Sequence, residues 1–204
     1  MAVWTIAAQG GTGGERLAAE LAESASVPLL DREALVHVAH EVEPRILEDD
    51  NLQERLGGRM KALALSTAIT VGSPDAMREY ELRQKLPELA RDVLARTACS
   101  PCVIYAPAAF AALADHHSAI HVRLHAPFEW RVAEYQREHL VDRSTAEKQL
   151  RHNDHRQHAW VKSLYHVDID DTDRFSLVLD ASRFSPERLV DLLLAAGGVQ
   201  PRTS

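Results

Sequence analysis

The chain has 204 residues, of which 46% are hydrophobic and 26% are charged, and its formal net charge is -7 at pH 7. This length suits one sizeable α/β domain, and the acidic balance argues against binding a nucleic-acid backbone through bulk electrostatics. Two cysteines cannot build a disulfide framework, and no stretch has the length of a membrane span, so we expect a cytoplasmic protein with no membrane partner.

The first elements along the chain predict the start of a βαβ unit. A short apolar strand at residues 3–8 runs into the glycine-rich segment 9–14, and an amphipathic helix follows with Leu17 and Leu21 on one face. A second strand at residues 27–31 ends in the carboxylate of Asp31. A helical pattern follows at 33–42.

Further along, residues 43–77 are irregular, and strands then alternate with helices. The pattern predicts helices at 78–97, 110–114, 127–139, 144–164 and 186–196, and strands at 103–105, 120–124 and 177–180. Ser144 and Glu147 have the spacing of a capping box for the fourth of these helices, and Ser185 precedes Pro186 at the last. Five short apolar strands alternating with helices indicate a mostly parallel five-stranded sheet in a three-layer αβα domain.

The glycine segment is the strongest candidate for chemistry, because backbone amides at a strand–helix turn can approach a phosphate closely. Compared with the Walker A pattern, Ala8 replaces the first glycine, Gly14 stands at the lysine position and Glu15 at the hydroxyl position. A dinucleotide-binding reading uses Gly11, Gly13 and the downstream Asp31, but Arg16 stands where the third glycine belongs. A turn that only closes the βα corner is the structural alternative.

Several ordered motifs make the chain resemble the cytidylate kinase-like family. They are residues 6–17 (IAAQGGTGGERL), 27–35 (VPLLDREAL), 101–105 (PCVIY), 121–131 (HVRLHAPFEWR), 165–168 (YHVD) and 175–180 (FSLVLD). The resemblance implies a single P-loop NTPase-type domain over 1–204, an acceptor-binding or irregular arm near 43–77 and a lid-like helix near 144–168. It also implies ATP and Mg²⁺ as cofactors and a small-molecule nucleotide as ligand.

The resemblance and the glycine pattern together select the candidate site residues. The candidate cofactor-binding residues are Gly10, Gly11, Thr12, Gly13, Gly14, Glu15 and Arg16. The candidate catalytic residues are Arg131, Arg156 and Asp31, since guanidinium groups neutralise phosphates and a carboxylate can hold metal-bound water. Alternatively, Arg131 pairs with Glu134 or Glu138 on a helix surface, Arg156 belongs to a solvated face, and Asp31 caps a helix.

Two departures from the family pattern remove positive charge from the expected phosphate site. Ala106 and Pro107 stand where the family has Gly-Arg, and Glu15 and Arg16 are exchanged relative to the family's Gly-Arg-Glu; the lysine itself is generally absent from the family. No metal site is expected, because His152, His155 and His158 cannot all share one helix face. The expected function is phosphoryl transfer to a nucleoside monophosphate or other small acceptor, weakened or lost by these departures. The alternative is an inactive relative that binds a nucleotide or a protein; a homo-oligomer is compatible with the sequence.

Overall fold

The computed structural model describes residues 2–31, 88 and 90–199. Their sheet has five parallel strands: β1 (Val3–Ala8), β2 (Leu29–Leu30), β3 (Cys102–Tyr105), β4 (Ala119–His125) and β5 (Leu177–Asp180). The strand order is β2-β3-β1-β4-β5, so β1 lies at the centre. The predicted parallel α/β sheet is thereby confirmed.

Helices cover both faces of the sheet. They are α1 (Gly14–Ala25), the helical residues 90–97, α2 (Ala109–Ala112), α3 (Phe128–His139), α4 (Arg143–Tyr165) and α5 (Pro186–Ala196). On one face of the sheet, α1 and α5 pack over the even-numbered residues of β1. On the other face, the odd-numbered residues of β1 are covered by α2, by residues 90–97 and by the C-terminal half of α4. Both faces of β1 are therefore buried, which explains its continuous apolar run.

Trp4 fixes the last helix to the centre of the sheet. Its side chain is 1% exposed, and its indole Nε1 donates to the carbonyl of Leu193 at 2.9 Å. A Cβ at position 197 would lie 2.1 Å from Cζ2 of this ring, so the helix can end against the indole only with Gly197 there. The predicted end of the final helix at this glycine agrees with the structure.

One predicted helix start is wrong. Asp142, not Ser144, is the N-cap of α4, because its carboxylate accepts from the backbone N–H of Thr145 at 3.0 Å and from the Thr145 hydroxyl at 2.8 Å. Glu147 is instead paired with Arg143 one turn earlier, at 2.7 Å. These hydrogen bonds also hold the pKa of the Asp142 carboxyl below its usual range.

Three expectations concern residues beyond this description. The predicted helix at 33–42, the predicted arm at 43–77 and the N-terminal part of the predicted helix at 78–97 lie outside the described residues. Among the residues that the structure does describe, no helix is both long enough and apolar enough to cross a bilayer.

Candidate functional site

The glycine loop lies at the point of the sheet where a ligand crevice is expected. β1 and β3 are neighbours, yet the helix that follows β1 covers one face and the helix that follows β3 covers the other. Such a switch point opens a crevice at the carboxyl ends of the two strands. The crevice is bordered by the loop at residues 9–13 and by Tyr105, the last residue of β3.

The loop turns on two glycines with left-handed backbone conformation. Gly11 has φ 75° and Gly13 has φ 70°, a region that favours glycine. Gly11 is doubly constrained, since a Cβ there would lie 2.7 Å from the carbonyl oxygen of Arg131. The loop therefore packs directly against the backbone at the start of α3.

The carbonyl groups of the loop are tied to the surrounding structure. The amide of Gln157 donates to the carbonyl of Ala8 at 3.1 Å, and Thr12 donates to that of Gln9 through its hydroxyl, at 2.6 Å. The guanidinium of Arg131 donates to the carbonyl of Gly10 at 3.2 Å. Because the C=O and N–H of a trans peptide point in opposite directions, these bonds turn the N–H groups of residues 10 and 11 away from Thr12 and Arg131.

The first turn of α1 adds further backbone donors to the same place. Its first intrahelical bond runs from the N–H of Leu17 to the carbonyl of Gly13, and no side chain caps the Gly13 terminus. The N–H groups of residues 14–16 thus have no acceptor within the helix. Glu15 is exposed, and Arg16 is exposed and paired with Glu20 at 3.1 Å, so neither side chain is buried in the loop.

Position 14 has no room for a side chain. A Cβ there would lie 2.3 Å from the Cβ of Ala8 and 3.3 Å from Cε2 of Tyr105. The two departures from the Walker A pattern at positions 8 and 14 are therefore linked, because the methyl group of Ala8 occupies the space in which the stem of a lysine at position 14 would begin. In the sequence, positions 8 and 14 are two separate departures, and only the packing of β1 against α1 brings them together.

Arg131 is buried and forms a two-point ion pair with a carboxylate on α4. Its side chain is 5% exposed, and its two terminal nitrogens lie 3.0 Å and 2.9 Å from the two oxygens of Asp154. The expected alternative partners are wrong, since Glu134 pairs with Arg137 instead. The buried Nε of Arg131 has no hydrogen-bond partner among the described residues.

Helix α4 packs against the glycine loop, and the residues near Asp154 make the contact. A Cβ at Gly10 would lie 3.1 Å from Cδ2 of Leu150 and 3.8 Å from the side-chain nitrogen of Asn153. Together with Asp154 and Gln157, these residues form the face of α4 that rests on the loop. Sequence reasoning missed this face, because its polar members resemble an ordinary solvated helix.

The other two predicted catalytic residues lie apart from this ion pair. Arg156 is exposed on α4, and its position in the helix turns it away from the face that rests on the loop. Asp31 directly follows β2, the edge strand, and is half-buried. Both stand on elements that reach the carboxyl side of the sheet.

Tyr105 is a residue of the crevice that the sequence reasoning did not select. Burial, together with the carboxylates of Glu15 and Glu138, raises the pKa of its hydroxyl to about 12. The phenol therefore remains neutral throughout the physiological range. Its sequence signals were its place at the end of a predicted strand and at the end of the motif PCVIY.

A second group of ionisable residues lies where α4 meets the segment that contains Asp168 and Asp170. Nε2 of His158 is 3.0 Å from Asp170 Oδ2, Nδ1 is 3.8 Å from Asp168 Oδ1, and the ligand atoms of the three residues lie within 4.8 Å of one another. The buried Arg123 guanidinium lies 2.6 Å from Asp170 Oδ1. Since each ring nitrogen of His158 faces a carboxylate and Arg123 already neutralises Asp170, we interpret the group as a polar network joining α4 to β4.

The five-stranded parallel sheet, with a glycine loop between its central strand and the next helix, defines a P-loop kinase fold. A family model for the cytidylate kinase-like family matches residues 3–183, and the chain belongs to that family. The resemblance identified from the ordered motifs is thus confirmed. A search of curated proteins finds no significant match.

Two solved structures illustrate the likeness. An uncharacterized protein from Eubacterium ventriosum ATCC 27560 has a TM-score of 0.69 at 14% identity, covering 97% of this chain and 99% of that one. A shikimate kinase from Bacteroides thetaiotaomicron has a TM-score of 0.48 at 12% identity, covering 97% of this chain and 99% of that one. The first similarity supports the fold, and at these identities neither assigns an activity.

Proposed function

We propose that the protein transfers a phosphoryl group from ATP to a nucleoside monophosphate or another small acceptor. The observation that carries the proposal is the glycine loop. The carbonyls of Ala8, Gln9 and Gly10 accept hydrogen bonds from side chains, which turns the N–H groups of Gly10 and Gly11 the other way, and the N–H groups of the first turn of α1 have no acceptor within the helix. Such a group of backbone donors at a positive helix end suits a phosphate. Family membership supports the same reading.

The backbone N–H groups of the loop suit the phosphates of ATP, because hydrogen-bond donors bind anions and do not bind metal ions. Gly10, Gly11 and residues 13–16 would hold the phosphates through backbone N–H groups, which requires no side-chain charge. Mg²⁺ would supply neutralisation of the charge on the transferring phosphate, with the carboxylates of Asp31 and Glu15 as candidate oxygen ligands, directly or through water.

The two arginines would act in different ways. Asp154 neutralises the charge of Arg131, so the role of Arg131 is to position the loop through the carbonyl of Gly10. Arg156 is exposed and would reach a phosphate only by a movement of α4. Ala106 and Pro107 carry no charge, so the acceptor would have to be recognised by other residues.

A coupled ADP-release assay with ATP–Mg²⁺ and a panel of nucleoside monophosphates and small alcohols tests the proposal. Turnover that depends on one acceptor is expected, and Arg156→Gln should reduce kcat by roughly 10-fold or more if it neutralises the transition state. Arg188→Gln on α5, an exposed arginine outside the crevice, is the matched control and should leave turnover unchanged. Turnover no higher than background with every acceptor would remove the catalytic proposal.

The alternative is an inactive relative that binds a nucleotide or a protein partner. Gly14, closed to any side chain, and the uncharged Ala106-Pro107 pair favour it, because phosphoryl transfer depends on charge neutralisation. Thermal unfolding with and without ATP–Mg²⁺ separates the cases, since a bound ligand raises the midpoint with concentration. A raised midpoint without turnover indicates a nucleotide-binding module, and no change leaves the protein-interaction module.

A further inference from the structure

We propose that the hydroxyl of Tyr105 donates a hydrogen bond to the polyphosphate of the bound nucleotide, in place of the lysine that Walker A loops use. This inference rests on the proposed function and names one of the groups that would recognise its ligand. It concerns a residue that is not among the candidate site residues chosen from the sequence. Three observations carry it.

The first observation is topological. Tyr105 ends β3, which pairs with the central strand β1, and the helices that follow these two strands lie on opposite faces. A side chain at the carboxyl end of either strand borders the crevice between them. Tyr105 thus borders the crevice beside the first turn of α1, where a Cβ on Gly14 would lie 3.3 Å from its ring.

The second observation is the space around position 14. A Cβ on Gly14 would lie 3.6 Å from the Tyr105 hydroxyl oxygen and 2.3 Å from the Cβ of Ala8. The stem of a lysine would start at this Cβ and run to the terminal phosphates. Ala8 excludes that stem, whereas the hydroxyl oxygen of Tyr105, on the neighbouring strand β3, lies close to the point where the stem would begin.

The third observation is the state of the hydroxyl. Within the part of the chain that the structure describes, no hydrogen bond of this hydroxyl is found, although the ring itself packs against the core beneath α1. Burial and the nearby carboxylates of Glu15 and Glu138 raise the pKa of Tyr105 to about 12. At neutral pH the group is therefore an uncharged donor available to a phosphate oxygen.

Calorimetric titration of the full chain with ATP–Mg²⁺ tests the inference with two matched variants. Tyr105→Phe removes only the hydroxyl and keeps the ring against Gly14, so its thermal unfolding without nucleotide should remain close to that of the unchanged protein. Tyr135→Phe is the control, because Tyr135 lies on α3 and its ring centroid is 4.0 Å from that of His139. We expect the dissociation constant to rise roughly 10-fold for Tyr105→Phe and less than about two-fold for Tyr135→Phe, since a hydrogen bond to a charged acceptor is lost only in the first.

The outcomes separate this inference from the function on which it rests. If the unchanged protein binds ATP–Mg²⁺ and Tyr105→Phe binds within about three-fold of it, the tyrosine is a packing residue and the inference is wrong, while the nucleotide site stands. If the unchanged protein does not bind ATP–Mg²⁺, both proposals are wrong. A larger loss confined to Tyr105→Phe supports both.

Discussion

At the scale of single residues, the phosphate loop is shaped by close approach as much as by backbone conformation. The methyl group of Ala8 packs so closely against Gly14 that a Cβ at position 14 would clash with it. The sequence alone identified both positions as departures from the Walker A pattern. It could not reveal that they touch, because strand β1 and helix α1 are brought together only by the turn between them.

Gly14→Ala should destabilise the protein by about 1–3 kcal/mol, because the added methyl group meets Ala8 and the Tyr105 ring. In the double variant Ala8→Gly/Gly14→Ala, part of this loss should be recovered, since the two methyl groups no longer compete for one space. Urea unfolding of the four proteins in a double-mutant cycle measures the coupling. Additive effects of the two changes would contradict the contact.

At the scale of elements, helix α4 is joined to the loop by a buried ion pair and by side-chain hydrogen bonds. Asp154 binds both terminal nitrogens of Arg131, and Gln157 donates to the carbonyl of Ala8. The sequence predicted a long polar helix here and suggested that it acts as a lid. The identity of the face that meets the loop could not be predicted, because polar residues that pair across elements look like polar residues that face water.

Asp154→Ala should lower the free energy of unfolding by about 3 kcal/mol, because it leaves the guanidinium of Arg131 buried with the carbonyl of Gly10 as its only hydrogen-bond partner among those described here. Glu147→Ala on the same helix breaks an exposed pair with Arg143 and should cost less than about 1 kcal/mol. Urea unfolding of both variants provides the comparison. Equal losses of unfolding free energy in the two variants would mean that the buried Arg131–Asp154 pair contributes no more to stability than an exposed pair.

At the scale of the whole molecule, the pH dependence of stability should include a contribution from the centre of the sheet. His121 on β4 is buried, and its Nδ1 lies 2.8 Å from the hydroxyl of Thr5 on β1. Burial lowers the pKa of His121, although a hydrogen bond to the backbone of Leu113 partly opposes the effect. The neutral imidazole therefore belongs to the folded state.

Stability should fall as the pH drops through about 6.5, the ordinary value for an unfolded histidine. In that range the unfolded chain binds a proton at His121 that the folded chain excludes, so the unfolding free energy decreases toward low pH. This one group can contribute at most about 1.4 kcal/mol per pH unit. Urea unfolding between pH 7.5 and 5.5 should show a smaller slope for His121→Gln than for the exposed-site control His117→Gln, and identical slopes would refute the assignment.

The sequence by itself determined the order and type of the described strands and helices, the parallel sheet, the family and the place of the glycine loop. These features follow from apolar periodicity, from turn residues and from short motifs. Each of these signals lies within a short stretch of consecutive residues. Only the tertiary structure decided which groups meet: Ala8 with Gly14, Arg131 with Asp154, and Tyr105 with the first turn of α1. The physical reason is that such contacts depend on distances and burial set by the packing of whole elements, which no local pattern encodes.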